Sequence, residues 1–262
     1  MTLAYIFSGF AVGLLVGLTG VGGGSLMTPI LTLWFGVPPA VAVGTDLAFA
    51  CVTKTAGTLV HRFRDTVQWR SVKYLSAGAL PAAALTTAAL SQFGTLDPRL
   101  GQVIRYSIAG ALLLTVVALL LQTRVQRWLN AHPDRQLHGT PLTVATVLAG
   151  AVLGTLVTVS SIGAGAIGAM LLDLLQPQLT PAQIAGTDIA YAVPLTAVAA
   201  LGHWWLGSVD WNLLAILLLG SVPGIAIGSL AARAVPHHVL RTLLATMLAC
   251  VATMLLYPLF RT

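Results

Sequence analysis

Shifted by 142 residues, the chain matches itself. "PAVAVGTDLAFA" at residues 39–50 lies over "PAQIAGTDIAYA" at residues 181–192. In the same register His61 falls on His203, Val67 and Trp69 fall on Val209 and Trp211, and Gly78 and Pro81 fall on Gly220 and Pro223. Upstream, "GVGGGSLMTPIL" meets "SIGAGAIGAMLL" with a one-residue change of offset. A duplicated chain folds as two copies of one unit, and those copies must pack on each other. Internal symmetry of this kind marks many transporter folds.

The solvent of that unit follows from its chemistry. The chain has 262 residues, of which 57% are hydrophobic and 8% charged, against about 25% charged in an average soluble domain. Mean hydropathy is +0.90. Too little polar surface exists to coat a water-soluble globule, and apolar runs long enough to span a bilayer recur throughout. The expected architecture is an all-α polytopic membrane protein forming a single transmembrane domain in the lipid bilayer. Repeat 1 covers about 1–123, a linker covers 124–140, and repeat 2 covers about 141–262. The net charge of +6 sits in short loops between apolar runs, so it reads as a topology signal, with no nucleic-acid partner. Cys51 and Cys250 lie in apolar segments without metal or redox spacing and read as packing residues. The first ten residues lack a basic stretch and a cleavage pattern, so no removed leader is expected.

Each half divides into five pieces. In the first half they are about 3–19, a short 25–36, 39–63, 71–93 and 99–123. In the second they are about 141–158, a short 165–176, 180–206, 211–233 and 237–259. A short piece of roughly 12 residues makes about 18 Å of helix, too little for a core of about 30 Å. Residues 61–73 carry three arginines and a lysine, 123–139 three arginines, and 233–241 two. The loop at 206–212, the repeat partner of the first, carries none and has Asp210. The positive-inside rule puts the first three in the cytoplasm and the last outside. Equivalent loops on opposite faces require an odd number of crossings per repeat. The expected fold is therefore two inverted repeats, each with a glycine-broken re-entrant-like hairpin plus three long transmembrane helices, and both termini outside. Unbroken first segments with parallel repeats are the rival, and they conflict with the charge count.

The glycine breaks at residues 20–24 and 160–165 are the candidate site. In hydrocarbon, unpaired backbone groups persist only when buried in protein or facing a wet cavity. Helices that start beyond each break aim free N–H groups and the positive end of the dipole at one central place, which suits an anion. Candidate substrate contacts are Thr19, Gly20, Gly22, Gly23, Gly24, Ser25, Lys54, Ser160, Ser161, Gly163 and Gly165. Close packing through small residues is the competing reading. Asp46 and Asp188 occupy equivalent Gly-Thr-Asp positions. With Thr45 and Thr187 they are candidates for proton coupling or substrate contact, or else helix caps near the surface. Lys54 has no charged counterpart, since Thr196 fills its place; it reads as an anion contact, an ion-pair partner of Asp46, or a snorkelling side chain. His61 and His203 are expected at the interface on opposite faces, too far apart to share a metal. Trp69, Trp204, Trp205 and Trp211 fit an aromatic belt. Asp173 reads as a solvated loop residue. No nucleophile–base arrangement, metal motif or nucleotide loop is visible, so no enzymatic activity and no cofactor are expected.

At these residues the sequence resembles the TauE/SafE, sulfite exporter-like family of membrane transporters. The resemblance rests on "GLTGVGGGSLMTPIL", "VGTDLAFACVTKTAGTLVHRFRDTVQW" and its echo "AGTDIAYAVPLTAVAALGHWWLGSVDW", and on "GALPAAALT" and "GSVPGIAIGS". It covers nearly the whole chain. It implies secondary transport, in the export direction, of a small sulfur-containing anion such as sulfite or an organosulfonate like sulfoacetate, in a cell membrane, with the bacterial inner membrane the expected location. A membrane oxidoreductase subunit holding haem or quinone and a passive anion channel are the alternatives. A homo-oligomer is compatible with either.

Overall fold

The computed structural model describes residues 2–19, 24–63, 65–93, 98–131 and 137–231, with isolated positions 246 and 253. The expected helix at about 237–259 and the glycines Gly20, Gly22 and Gly23 lie outside the described residues. Among the described residues every regular element is a helix. Repeat 1 supplies α1 (Thr2–Thr19), α2 (Gly24–Leu33), α3 (Pro39–Phe63), α4 (Trp69–Leu90) and α5 (Pro98–Ala131). Repeat 2 supplies α6 (Gly139–Ser160), α7 (Ala166–Leu175), α8 (Pro181–Trp205) and α9 (Trp211–Ala231). A backbone in hydrocarbon must satisfy its own hydrogen bonds, which leaves helices as the solution for such apolar segments.

Among the described residues four helices, within α5, α6, α8 and α9, are long and apolar enough to cross a membrane. α3 matches α8 in length at 25 residues but carries Asp46, Lys54 and Arg62. α2 and α7 hold 10 residues each, about 15 Å of helix, half of an apolar core. α5 continues to Ala131, so the first residues assigned to the linker are helical. The start of α8 shows why the boundaries fall where they do. Thr180 accepts the Gln183 N–H at 3.3 Å, the Gln183 side chain accepts the Thr180 N–H at 3.0 Å, and Pro181 follows.

Contacts between the repeats are reciprocal. α1 packs along α9 and α6 packs along α4. Gly220 lies so close to α1 that a Cβ would strike the Ile6 carbonyl oxygen; its counterpart Gly78 stands in the same relation to the Val147 carbonyl of α6. Small residues let membrane helices approach backbone to backbone, where dispersion supplies the attraction that lipid-exposed apolar surface does not. Gly150 meets Leu75 and Gly154 meets Ala79, so α6 and α4 run parallel. Gly9 meets Leu217 and Gly13 meets Ser221, so α1 and α9 do too. The equivalent helices α3 and α8 cross at the centre. There Gly44 abuts the His203 Cβ and Gly57 abuts Ile189, so α3 and α8 run antiparallel. The threonines of the two Gly-Thr-Asp motifs seal this crossing. Thr45 accepts the Asp210 N–H and Thr187 accepts the Gln68 N–H, both at 3.0 Å. Residues 68 and 210 are themselves equivalent.

The outside of the bundle is apolar. Leu85, Leu120, Leu148, Val152, Leu201, Leu219 and Val222 are all exposed, as are Trp69, Trp204, Trp205 and Trp211 at helix ends. Apolar side chains outside and charged ones inside is the arrangement that a lipid solvent selects.

Candidate functional site at the second glycine break

The site is built from the end of α6 and the start of α7. α6 stops at Ser160 because Ser161 turns left-handed, with φ 58, and returns its N–H to the Val157 carbonyl at 2.7 Å. Gly163 (φ 128) and Gly165 (φ 138) continue in conformations that glycine adopts freely. The chain then enters α7, and Gly168 closes the turn with its N–H on the Gly163 carbonyl at 2.9 Å. The first-turn N–H groups of a helix have no intrahelical acceptor, so this segment presents donors and the positive dipole end. Ser160 takes no outward role: its hydroxyl donates to the Leu156 carbonyl at 2.7 Å and accepts the Ile162 N–H at 3.2 Å. Ser161 Oγ is buried and lies toward Asp46 without completing a hydrogen bond. In the first break, the side chains of Thr19 and Ser25 lie outside the described residues, with the three glycines already named.

Lys54 reaches into this break from the other repeat. Its Nζ donates to the Ala164 carbonyl at 3.1 Å, and the residue is 4% exposed. It therefore does not snorkel. It interacts electrostatically with Asp188 and, less strongly, with Asp46. A cation within a lipid-facing bundle is stable only when protein groups replace its water. Here the Ala164 carbonyl accepts from it, and the charges of the two aspartates favour it from further off.

The two aspartates are equivalent in sequence but not in surroundings. Both sit seven residues into their helices, Asp46 after Pro39 and Asp188 after Pro181, so neither caps its helix; Thr180 caps α8. Asp46 is fully buried and accepts both the hydroxyl and the N–H of Thr28, at 2.5 and 3.2 Å. Ala169 stands at the position equivalent to Thr28 and has no hydroxyl to offer. Asp188 instead faces the Gly165 N–H and Lys54. Like Asp46 Oδ1, Asp188 Oδ1 and the Tyr191 hydroxyl are buried without a hydrogen-bond partner among the described residues. Both press on Gly168, where a Cβ would strike them.

Two expectations need correction. Asp173 is not a solvated loop residue: it lies within α7, is 2% exposed, and accepts a hydrogen bond from Gln126 Nε2 at 2.9 Å. The cause is the extra length of α5, which carries Gln126 over the end of α7. His203 sits at the end of α8 beside the belt tryptophans but turns inward, away from lipid and solvent. It is 1% exposed, with its ring nitrogens 2.9 Å from Ser208 Oγ and from the Thr158 carbonyl, and these contacts tie α8 to α6. The side chain of His61 lies outside the described residues. Sequence reasoning also missed Thr28 and Tyr191. Reading the repeat for its differences gives the signal, since Thr28 pairs with Ala169 and Phe49 with Tyr191.

Reciprocally packed halves, half-length helices that start at a break, and a buried lysine and carboxylates define a multi-pass membrane protein of the transporter class. The chain belongs to the family described as sulfite exporter TauE/SafE, whose sequence pattern matches residues 5–255. It is 37% identical over 229 residues to the probable membrane transporter protein YjnA of Bacillus subtilis (strain 168), covering 87% of this chain and 89% of that one. It is 26% identical over 238 residues to the probable membrane transporter protein YdhB of the same organism, covering 89% and 91%. A probable membrane transporter protein of Xylella fastidiosa (strain 9a5c) is 26% identical over 239 residues, covering 87% and 83%. No solved structure matches the chain.

Proposed function

We propose that the protein is a secondary transporter that exports a small sulfur-containing anion, sulfite or an organosulfonate such as sulfoacetate, bound near the midplane between the two glycine breaks. The observation that carries this reading is Lys54 crossing from one repeat to the broken backbone of the other, where it meets the donor-rich start of α7. A sulfonate group offers three oxygens, and clustered N–H donors with one cation match it in charge and geometry. A negative-inside potential favours exit by about 2.3 kcal/mol per charge per 100 mV. The test is thermal unfolding of the purified protein with sulfite, thiosulfate, sulfoacetate, taurine, sulfate and acetate. A ligand at 100 times its dissociation constant adds about 2.7 kcal/mol. Stabilisation by one or more sulfur oxyanions, with acetate inert, is expected; equal indifference to all six would overturn the reading.

The same proposal includes the topology. The repeats are inverted about an axis in the membrane plane, with the linker after α5 in the cytoplasm and both termini outside. The antiparallel crossing of α3 and α8 supports it, because equivalent helices run parallel when the axis lies along the membrane normal. The parallel pairs α1·α9 and α4·α6 fit the same axis. Single cysteines in a cysteine-free background decide it with an impermeant thiol reagent. A cysteine at Gly207 is expected to react in intact cells and one at His138 only after lysis. The reverse pattern would contradict the orientation. Reaction of both from outside would contradict inversion.

A further inference from the structure

We infer that anion binding is coupled to uptake of a proton by Asp188, with Lys54 as the link, and that Asp46 takes no part. The inference rests on the anion site proposed above and names the co-transported ion of that site.

The argument starts from where the two halves differ. Thr28, Phe49 and Lys54 of repeat 1 correspond to Ala169, Tyr191 and Thr196 of repeat 2. All three differences fall around the aspartates. In repeat 1 they give Asp46 two fixed donors from Thr28. In repeat 2 they remove those donors: each aspartate has one buried oxygen without a partner, but only around Asp188 is there no Thr28 hydroxyl and N–H on the other, and the Tyr191 hydroxyl beside it is unpartnered over Gly168 as well. A buried carboxylate short of donors depends on a facing cation to carry its charge. Among the described residues the groups around it are few. α3 brings Lys54, with Asp46 beyond it and Cys51 half-buried on the same helix. α7 brings the Gly165 N–H, while its Asp173 is engaged by Gln126. α4 carries Arg70 and Lys73, exposed at its start, and α6 has no titratable side chain. On α8 itself Tyr191 adjoins Asp188, and His203 is held by Thr158 and Ser208. Among the described residues Lys54 is thus the cation that acts on Asp188, and it is anchored at Ala164, in the break where the anion binds.

An anion arriving at the break competes with Asp188 for two things, the Lys54 ammonium and the Gly165 N–H. The carboxylate that loses both takes a proton from solvent. By linkage the proton strengthens anion binding by the same factor that the anion strengthens proton binding. Sulfoacetate with one proton still carries one negative charge outward, so the membrane potential continues to favour its exit.

The experiment is calorimetric titration of the purified protein with sulfoacetate between pH 6 and 9, in buffers of different ionisation enthalpy. Across this range the ligand's own groups stay ionised. The expected result is uptake of up to one proton per anion, with affinity rising by up to about tenfold for each unit of falling pH. Asp188→Asn is expected to bind without proton uptake and with affinity independent of pH, whereas Asp46→Asn keeps the uptake. Sulfoacetate binding to the wild-type protein with no proton uptake at any pH overturns the inference and leaves the anion site standing. Uptake that persists in Asp188→Asn and vanishes in Asp46→Asn overturns it too. Absence of binding by sulfoacetate and by every other sulfur oxyanion overturns both.

Discussion

Gly163→Ala is expected to abolish the stabilisation of the protein by its anion and to lower the melting temperature of the ligand-free protein by several degrees. Gly163 has φ 128, a conformation that a side chain rarely adopts, and a strained residue costs about 1–3 kcal/mol. An added Cβ would also lie 3.2 Å from Leu156 Cδ2 and 3.3 Å from Val157 Cγ2, closer than ordinary contact. Those side chains give by a few tenths of an ångström, but the backbone strain is relieved only by moving the turn. The turn fixes the donors, because the Gly163 carbonyl holds the Gly168 N–H at the start of α7. Ligand stabilisation therefore falls by more than stability does. Gly110→Ala is the control. Gly110 lies on the exposed side of α5 with open space around its Cα, so alanine there is neutral or gains helix propensity, about 1 kcal/mol. Thermal unfolding with and without sulfoacetate compares the two. Full ligand stabilisation in Gly163→Ala would remove this turn from the site.

Lys54→Met is expected to weaken anion binding by about 10- to 100-fold. Methionine keeps much of the length but not the charge, and hydrogen bonds to charged groups are worth roughly 1.5–3 kcal/mol. The single variant also destabilises the fold, since two buried carboxylates lose their cation. Asp188 is the stronger electrostatic partner, so Lys54→Met with Asp188→Asn is the pair that separates the two effects. The double variant is expected to recover stability and not affinity. If it binds the anion as tightly as the wild-type protein, Lys54 is an ion-pair partner alone.

Much of this fold was legible because its determinants are periodic. Long apolar runs set the helices, and the duplication set which residues pair. α3 begins at Pro39 and ends at Phe63, as the pattern predicts, and α7 matches its expected place after Gly165. Trp69, Trp204, Trp205 and Trp211 lie exposed at helix ends as an aromatic belt requires. The errors arise where a distant element decides the environment. Asp173 reads as a loop residue until α5 is known to extend past it, and the extension follows the amphipathic 124–131 segment that the arginines make resemble a loop. His203 reads as interfacial from its place at a helix end, but Gly44 and Ser208 close over it. The Ala164 carbonyl that receives Lys54 is a backbone group, and no side-chain pattern encodes it. Conversely, the contrast between Asp46 and Asp188 was present in the sequence, in the pairs Thr28 with Ala169 and Phe49 with Tyr191. It becomes visible when a repeat is read for what it fails to repeat.

The central claim is that a small sulfur oxyanion crosses the membrane through a saturable site at the second glycine break. Flux of isotopically labelled sulfoacetate and sulfite from proteoliposomes tests it most directly, with the wild-type protein, Gly163→Ala, Lys54→Met and empty liposomes run side by side. The account predicts saturable efflux of at least one of the two anions in the wild-type protein, inhibition of that efflux by the other sulfur oxyanions that stabilise the protein, and loss of most of it in both variants. Flux equal to empty liposomes for both anions, or flux undiminished in both variants, would contradict it.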